Sequence, residues 1–190
     1  MSTRTAILDA AQVLIQTRGA NGMSYDSISS VVGIRKASIH YHFATKADLL
    51  AAVVERYAER FLGAVDIVIA NNTDGLAKLQ NIVALFEQTL RQEGGRAICA
   101  CGMLASELGT LDETTEALIR TFFADCIERL AVVLVAGRDD GSLAFDCQPQ
   151  DLASLIFSLL QGALMTARVA GGIQRFRAIA SNLYTLVGAS

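Results

Sequence analysis

Apolar residues recur along this chain at intervals of three and four, the spacing that lines up one face of an α-helix, and almost nowhere in the alternation of a half-buried strand. Near the start, Ile7, Ala11 and Leu14 form one stripe with Leu8 and Ile15 beside it, and Gly19 and Gly22 interrupt it. Ser24 is placed to cap a short second helix over 26–32 that presents Ile28, Val31 and Val32, with Asp26 in its first turn and Gly33 at its end. A third short helix is predicted from Lys36 to His42. Thr45 and Asp48 form a shortened capping box for a long fourth helix, Lys46 to Ala70. The fifth carries Leu76, Leu79, Val83, Phe86 and Leu90 on one face and ends near Gly94 and Gly95. A sixth is expected from Ala97 to Leu108, and Thr110 with Glu113 reads as the capping box of a seventh that stops at Gly137. Pro149 suits the first turn of an eighth, which runs to Gly171 and Gly172. The last carries Phe176, Ile179, Leu183 and Val187. Nine helices without a convincing sheet predict an all-α protein.

Composition sharpens this. Of 190 residues, 52% are hydrophobic, yet the longest unbroken apolar run, Leu130–Ala136, is far short of the ~18 residues that cross a bilayer. No membrane association is expected, so the surplus must enter a core, a subunit interface or a ligand cavity. Asp9 and Gln12 break the apolar stretches a signal peptide would need, and four cysteines without a leader read as reduced thiols; a cytoplasmic protein is expected. The net charge of −3 argues against nucleic acid until it is divided along the chain. Residues 1–56 hold six basic and four acidic side chains, the remainder ten and fifteen. A positive patch precedes an acidic body.

That patch contains "IRKASIHYHFATKADLL", residues 34–50, with both histidines of the chain. As a metal site it is poor. His40 and His42 are two apart, about 200° of helical rotation, whereas helical ligand pairs sit four apart. "CAC" at 99–101 lacks the spacing of zinc knuckles, and no nucleophile-elbow, zincin or phosphate-loop motif occurs. No metal, cofactor or catalytic group is expected, and the protein reads as a non-enzyme. Two short helices about the Gly33 turn instead fit a helix-turn-helix, whose second helix enters the DNA major groove. Lys36, Ala37 and Ser38 would then face base edges, and His40, Tyr41, His42 and Lys46 the sugar-phosphate, while Ile34, Ile39 and Phe43 anchor the helix.

"ILDAAQVLIQTRG" followed by "MSYDSISSVVGIRKASIHYHFATKADLLAAVV" resembles the N-terminal DNA-binding domain of TetR/AcrR-family transcriptional regulators over residues 4–56. Its most diagnostic part is the aromatic end of the recognition helix followed by Phe43, Thr45, Lys46 and Leu49. The resemblance implies a helix-turn-helix head over 1–45 and a ligand-binding, dimer-forming domain over 46–190. It implies a homodimeric repressor that leaves a palindromic double-stranded operator when a small-molecule effector binds. It also places Ser24 and Tyr25 against phosphate. Two residues depart from the family's pattern. His40 stands where tyrosine is usual, and Arg35 where Ser or Thr caps the recognition helix; arginine cannot cap but reaches a phosphate.

The body is read from its stripes. On the eighth helix Leu152, Ile156, Leu159, Ala163 and Ala167, and on the ninth Phe176, Ile179 and Leu183, read as core, and the resemblance assigns them in part to a dimer interface. Phe86, Met103 and Phe122 are candidates to line a hydrophobic effector cavity. Cys99 and Cys101, near the start of the sixth helix, form an alternative, thiol-based redox or electrophile sensor. A helical binding protein that no longer reads DNA is the other alternative.

Overall fold

The computed structural model describes residues 2–188, and among these it contains helices and turns but no strand. The helices are α1 (Thr3–Arg18), α2 (Tyr25–Val32), α3 (Lys36–His42), α4 (Lys46–Asn71), α5 (Gly75–Arg91), α6 (Ala100–Ala105), α7 (Glu113–Asp139), α8 (Pro149–Val169) and α9 (Gly172–Leu186). Short 3-10 turns lie at Gln92–Gly95 and Leu108–Thr110.

Most boundaries follow from caps. The Thr45 N–H donates to Asp48 Oδ2 at 2.9 Å and the Asp48 N–H returns to Thr45 Oγ1 at 3.1 Å, a reciprocal box at the head of α4. Three differences have local causes. The sixth helix is shorter than its apolar pattern, because Ile98 is drawn into a two-way bond with Gln16 and Cys99 becomes the cap. Asp112, not Thr110, caps α7: its carboxylate accepts both the N–H and the hydroxyl of Thr115, while Thr110 turns back onto Glu107 O. Gly137 does not end α7, which runs through to Asp139. A Cβ built on Gly75 would lie 2.1 Å from Gly137 Cα, so these two glycines are where α5 and α7 touch backbone to backbone.

Two compact units result. The first comprises the chain up to Glu59 together with Ile98–Phe122; the second comprises Arg60–Ala97 and the chain from Phe123 onward. In the first, Ile7, Ile15, Ile28, Ile39, Leu49 and Leu104 are fully buried. In the second, Phe61, Phe86, Phe123 and Phe157 meet edge to face with centroids 5.0–6.3 Å apart. There α8 and α9 form an antiparallel pair. Among the described residues α8 is the one helix long and apolar enough to cross a membrane. Contiguous apolar runs concealed this because polar residues punctuate it. Its inner face, including Leu152, Ile156, Phe157 and Leu160, is packed within the unit.

Candidate nucleic-acid interface

The interface is built on the first unit. Ser24 accepts the Ser27 N–H at 3.2 Å, and the Ser24 N–H donates to Ser27 Oγ at 3.0 Å, so α2 starts with a reciprocal cap. Gly33 ends it in the left-handed region, φ 74°, its N–H bonded to Ser29 O. The Ser29 hydroxyl donates to Ile34 O at 2.6 Å and fixes the turn that launches α3. Arg35 makes no side-chain cap bond there. The inner face of α3 is secured by Ile39 and Phe43, both buried, and the Arg4 guanidinium lies 5.2 Å from the Phe43 ring centroid.

Beyond α3 three successive carbonyls need donors. The Tyr25 hydroxyl donates to Phe43 O and Thr45 O at 2.9 and 2.6 Å, and His40 Nδ1 lies 3.3 Å from Ala44 O, donating when that nitrogen is protonated. The two rings meet edge to face at 4.7 Å. Burial, then the Asp48 charge, pushes the Tyr25 phenol up, which keeps it a donor. Lys46 Nζ donates to Ala20 O at 2.6 Å, and the Ala20 N–H donates to Glu107 Oε2 at 2.6 Å. The turn between α1 and α2 is therefore gripped on both sides of one residue.

The predicted contact residues thus divide. Arg35, Lys36 and Ala37 are exposed, Tyr41 is 85% exposed, and Ser38 and His42 are half-buried on the same helix. Ser24, Tyr25, His40 and Lys46, expected at phosphate, have polar groups already engaged within the unit. They hold the reading helix in place.

Residues 7–53 match the family described as bacterial regulatory proteins, tetR family, and residues 76–182 match the LmrA/YxaF-like transcriptional regulator C-terminal domain. The chain belongs to the TetR family of transcriptional regulators. A TetR-family regulator from Agrobacterium tumefaciens is 32% identical, with 97% of this chain and 96% of that chain covered and a TM-score of 0.92. The transcriptional regulator AcuR from Cereibacter sphaeroides is 25% identical over 80% of this chain and 70% of its own length. The repressor NemR from Escherichia coli K12 is 25% identical over 88% of this chain and 84% of its own. A crystal structure of NemR in its reduced form, 21% identical by structural alignment over 99% and 98% of the two chains, shares the fold with a TM-score of 0.83.

The remaining expectations for this TetR-family chain fare unevenly. Phe86 lies in the second unit, against Phe61 and Phe157, whereas Met103 and Phe122 lie in the first, Phe122 against Tyr57. A cavity of about 290 Å³ in the first unit, lined in part by Asn21, Lys46, Thr110 and Asp112, includes none of the three. Cys99 and Cys101 are buried. Leu152, Ile156, Ala163, Ala167, Phe176 and Leu183, assigned in part to the dimer interface, are core residues of their own protomer, and only Leu159 and Ile179 reach the surface. The large apolar side chains exposed on these helices are Leu155, Met165 and Val169, a neighbouring stripe of α8, and Leu186 on α9. Sequence reasoning also missed the seat of Glu107, 87 positions from Ala20. Its signal was Gly19, where φ is 79° and an added Cβ would lie 2.4 Å from Glu107 Oε1.

Proposed function

We propose that this chain is a homodimeric, sequence-specific repressor that binds a palindromic operator and leaves it when a small hydrophobic effector occupies the body. The observation that carries the reading is the division of labour at α3. Its outward side chains Arg35, Lys36, Ala37 and Tyr41 are exposed, while the turns on either side are pinned by Ser29, Tyr25 and His40. A cation, a methyl group and an aromatic hydroxyl on a braced helix suit base edges and phosphates.

A two-fold pairing of α8 and α9 with their copies is supported by the exposure of Leu155, Met165 and Val169 on the face of α8 that carries Gly162, whose Cβ position is open, and of Leu186 on α9. Such a dimer presents two reading helices to the two halves of a palindrome. The phenylalanine cluster of the second unit, Phe86 included, suits an apolar effector. The protein acts where the DNA is, in the cytoplasm.

Fluorescence anisotropy on duplexes from upstream of the protein's own gene, at two salt concentrations, tests this. Saturable binding that survives excess random DNA and weakens steeply with salt is expected. Equal, weak binding to every duplex refutes a sequence-specific repressor of its own gene and favours a helical binding protein that does not read DNA.

Thiol sensing is a second reading, favoured by one arrangement. The Cys99 sulfur receives the Gly102 N–H at 3.4 Å and is hydrogen-bonded to the buried Tyr57 hydroxyl. Burial keeps Tyr57 protonated, its pKa well above the ordinary phenol value. Release of DNA by hydrogen peroxide, abolished in the Cys99→Ser, Cys101→Ser double variant, is the expected result under this reading; unaltered release in the variant refutes it.

A further inference from the structure

Resting on the DNA-binding reading above, we infer that Asp26 is a specificity-determining residue, holding Lys36 away from phosphates so that this lysine discriminates between sequences. Lys36 is the first residue of α3, and its Nζ lies 2.5 Å from Asp26 Oδ1 in the first turn of α2. Both side chains are open to solvent, 51% and 72% exposed. An ion pair so exposed adds little to folding stability, so its consequence lies in what the lysine is free to touch.

Four other carboxylates of the first unit serve its own folding. Asp9 pairs with Arg56, Asp48 caps α4, Glu107 sits on the Ala20 N–H, and Asp112 caps α7. Asp26 instead stands beside the start of the reading helix, whose own first turn has no acidic residue. An unpaired Lys36 there would meet the nearest phosphate on any duplex, a contact that adds affinity without sequence information. Asp26 opposes that contact twice: it occupies the ammonium, and its own charge is repelled by the phosphate. A guanine edge offers Lys36 the O6 and N7 acceptors inside the groove, away from the backbone, and a neighbouring cytosine offers Asp26 an N4 donor. The pair is thus compatible with certain base edges and antagonistic to backbone-only binding.

Asp26 also lies at the positive end of α2, where any acid stabilises the helix. A double-mutant cycle separates the two roles. Wild type, Asp26→Asn, Lys36→Gln and the double variant are titrated by anisotropy against a random-sequence duplex pool and against the duplex that the wild type selects from that pool, over a salt series. Melting curves confirm that each variant is folded. Asp26→Asn is expected to tighten binding to random DNA and steepen its log–log salt dependence by about 0.9, the release of one further counterion. The preference for the selected duplex should fall by about tenfold. Both effects should shrink to the part owed to Asp26's own charge when Lys36 is already Gln. If Asp26→Asn leaves random binding and preference unchanged, or if its effect is undiminished in the Lys36→Gln background, the inference is overturned while the DNA-binding reading stands. A folded wild type that binds no duplex at either end of the salt series overturns both.

Discussion

The two compact units are joined internally by different kinds of bond. In the first, distant parts of the chain grip one another's backbone: Gln16 and Ile98 exchange bonds in both directions, Tyr25 holds two carbonyls of the turn after α3, and Glu107 and Lys46 hold the two sides of Ala20. In the second, backbone grips are confined to the start of α5, whose Gly75 and Leu76 N–H groups donate to Asp140 and Ser142, and to Ala144 with Val187, while the helices otherwise meet through the phenylalanine cluster and the ion pairs of Arg129 with Asp66 and Arg177 with Glu87. Backbone-directed hydrogen bonds fix position and direction together, whereas apolar faces slide and repack at modest cost. On the reading proposed above, the unit that presents side chains to a groove needs the first kind, and the one that accommodates an effector tolerates the second.

The largest effect is expected where the second unit departs from its own rule, at the backbone contact of α5 and α7. Gly75→Ala should destabilise the protein by about 3 kcal/mol in urea unfolding, because the clashing neighbour is Gly137 Cα and has no rotamer to yield. Tyr25→Phe keeps the ring against His40 but strips the donor from two carbonyls. It should cost about 2 kcal/mol and weaken DNA binding by more than the melting temperature alone explains. Glu107→Gln leaves an acceptor for the Ala20 N–H but removes its charge, and about 1 kcal/mol of stability should go with it. Arg35→Ser should do the opposite of these losses. The hydroxyl restores a cap worth about 1 kcal/mol, while the salt dependence of DNA binding becomes shallower by about 0.9. An unchanged slope would remove Arg35 from the phosphate contacts.

The smallest effect is one of pH. The Arg177 hydrogen bond, helped by Arg91, holds the Glu87 carboxyl below the ordinary glutamate range. Its stabilisation is therefore fully present above the unfolded glutamate pKa and disappears as pH falls through the lower folded value. Arg177 is half exposed, so the contribution is under about 1 kcal/mol. Glu87→Gln should flatten the acid limb of the stability profile by that amount and leave neutral-pH DNA binding unchanged.

Legibility in the sequence followed the range of the interaction. Ser24, Gly33, Thr45 with Asp48, and Pro149 act on backbone within a few residues, and each marks the boundary it was read to mark. Thr110 and Asp112 stand two apart as rival caps, and the choice fell to Asp112 because Thr115 offers it two donors. On α8 the difficulty was different. This helix is apolar on two faces, with Leu152 and Ile156 inside and Leu155, Met165 and Val169 outside, and periodicity finds stripes without saying which one is covered by its own chain. The candidate DNA contacts were read from side-chain chemistry at helix-turn-helix spacing, and of these Arg35, Lys36, Ala37 and Tyr41 are exposed on α3 and its cap. The inward commitments of Tyr25, His40 and Lys46 depend on carbonyls brought near only by the fold.

Because the first unit draws on Ile98–Phe122 as well as on the chain up to Glu59, it cannot be completed in order of synthesis. A ribosome has already made the recognition helix and the Arg60–Ala97 stretch of the second unit before Ile98 and Glu107, the distant partners of Gln16 and Ala20, emerge. A nascent or truncated chain ending before residue 98 keeps the braces of Ser29, Tyr25, His40 and Lys46 around α3, yet lacks Ile98 and Glu107, which hold Gln16 and the turn at Ala20. On the reading proposed above, interrupted translation therefore yields fragments that compete poorly for the operator, and full competence to read DNA arrives late in synthesis.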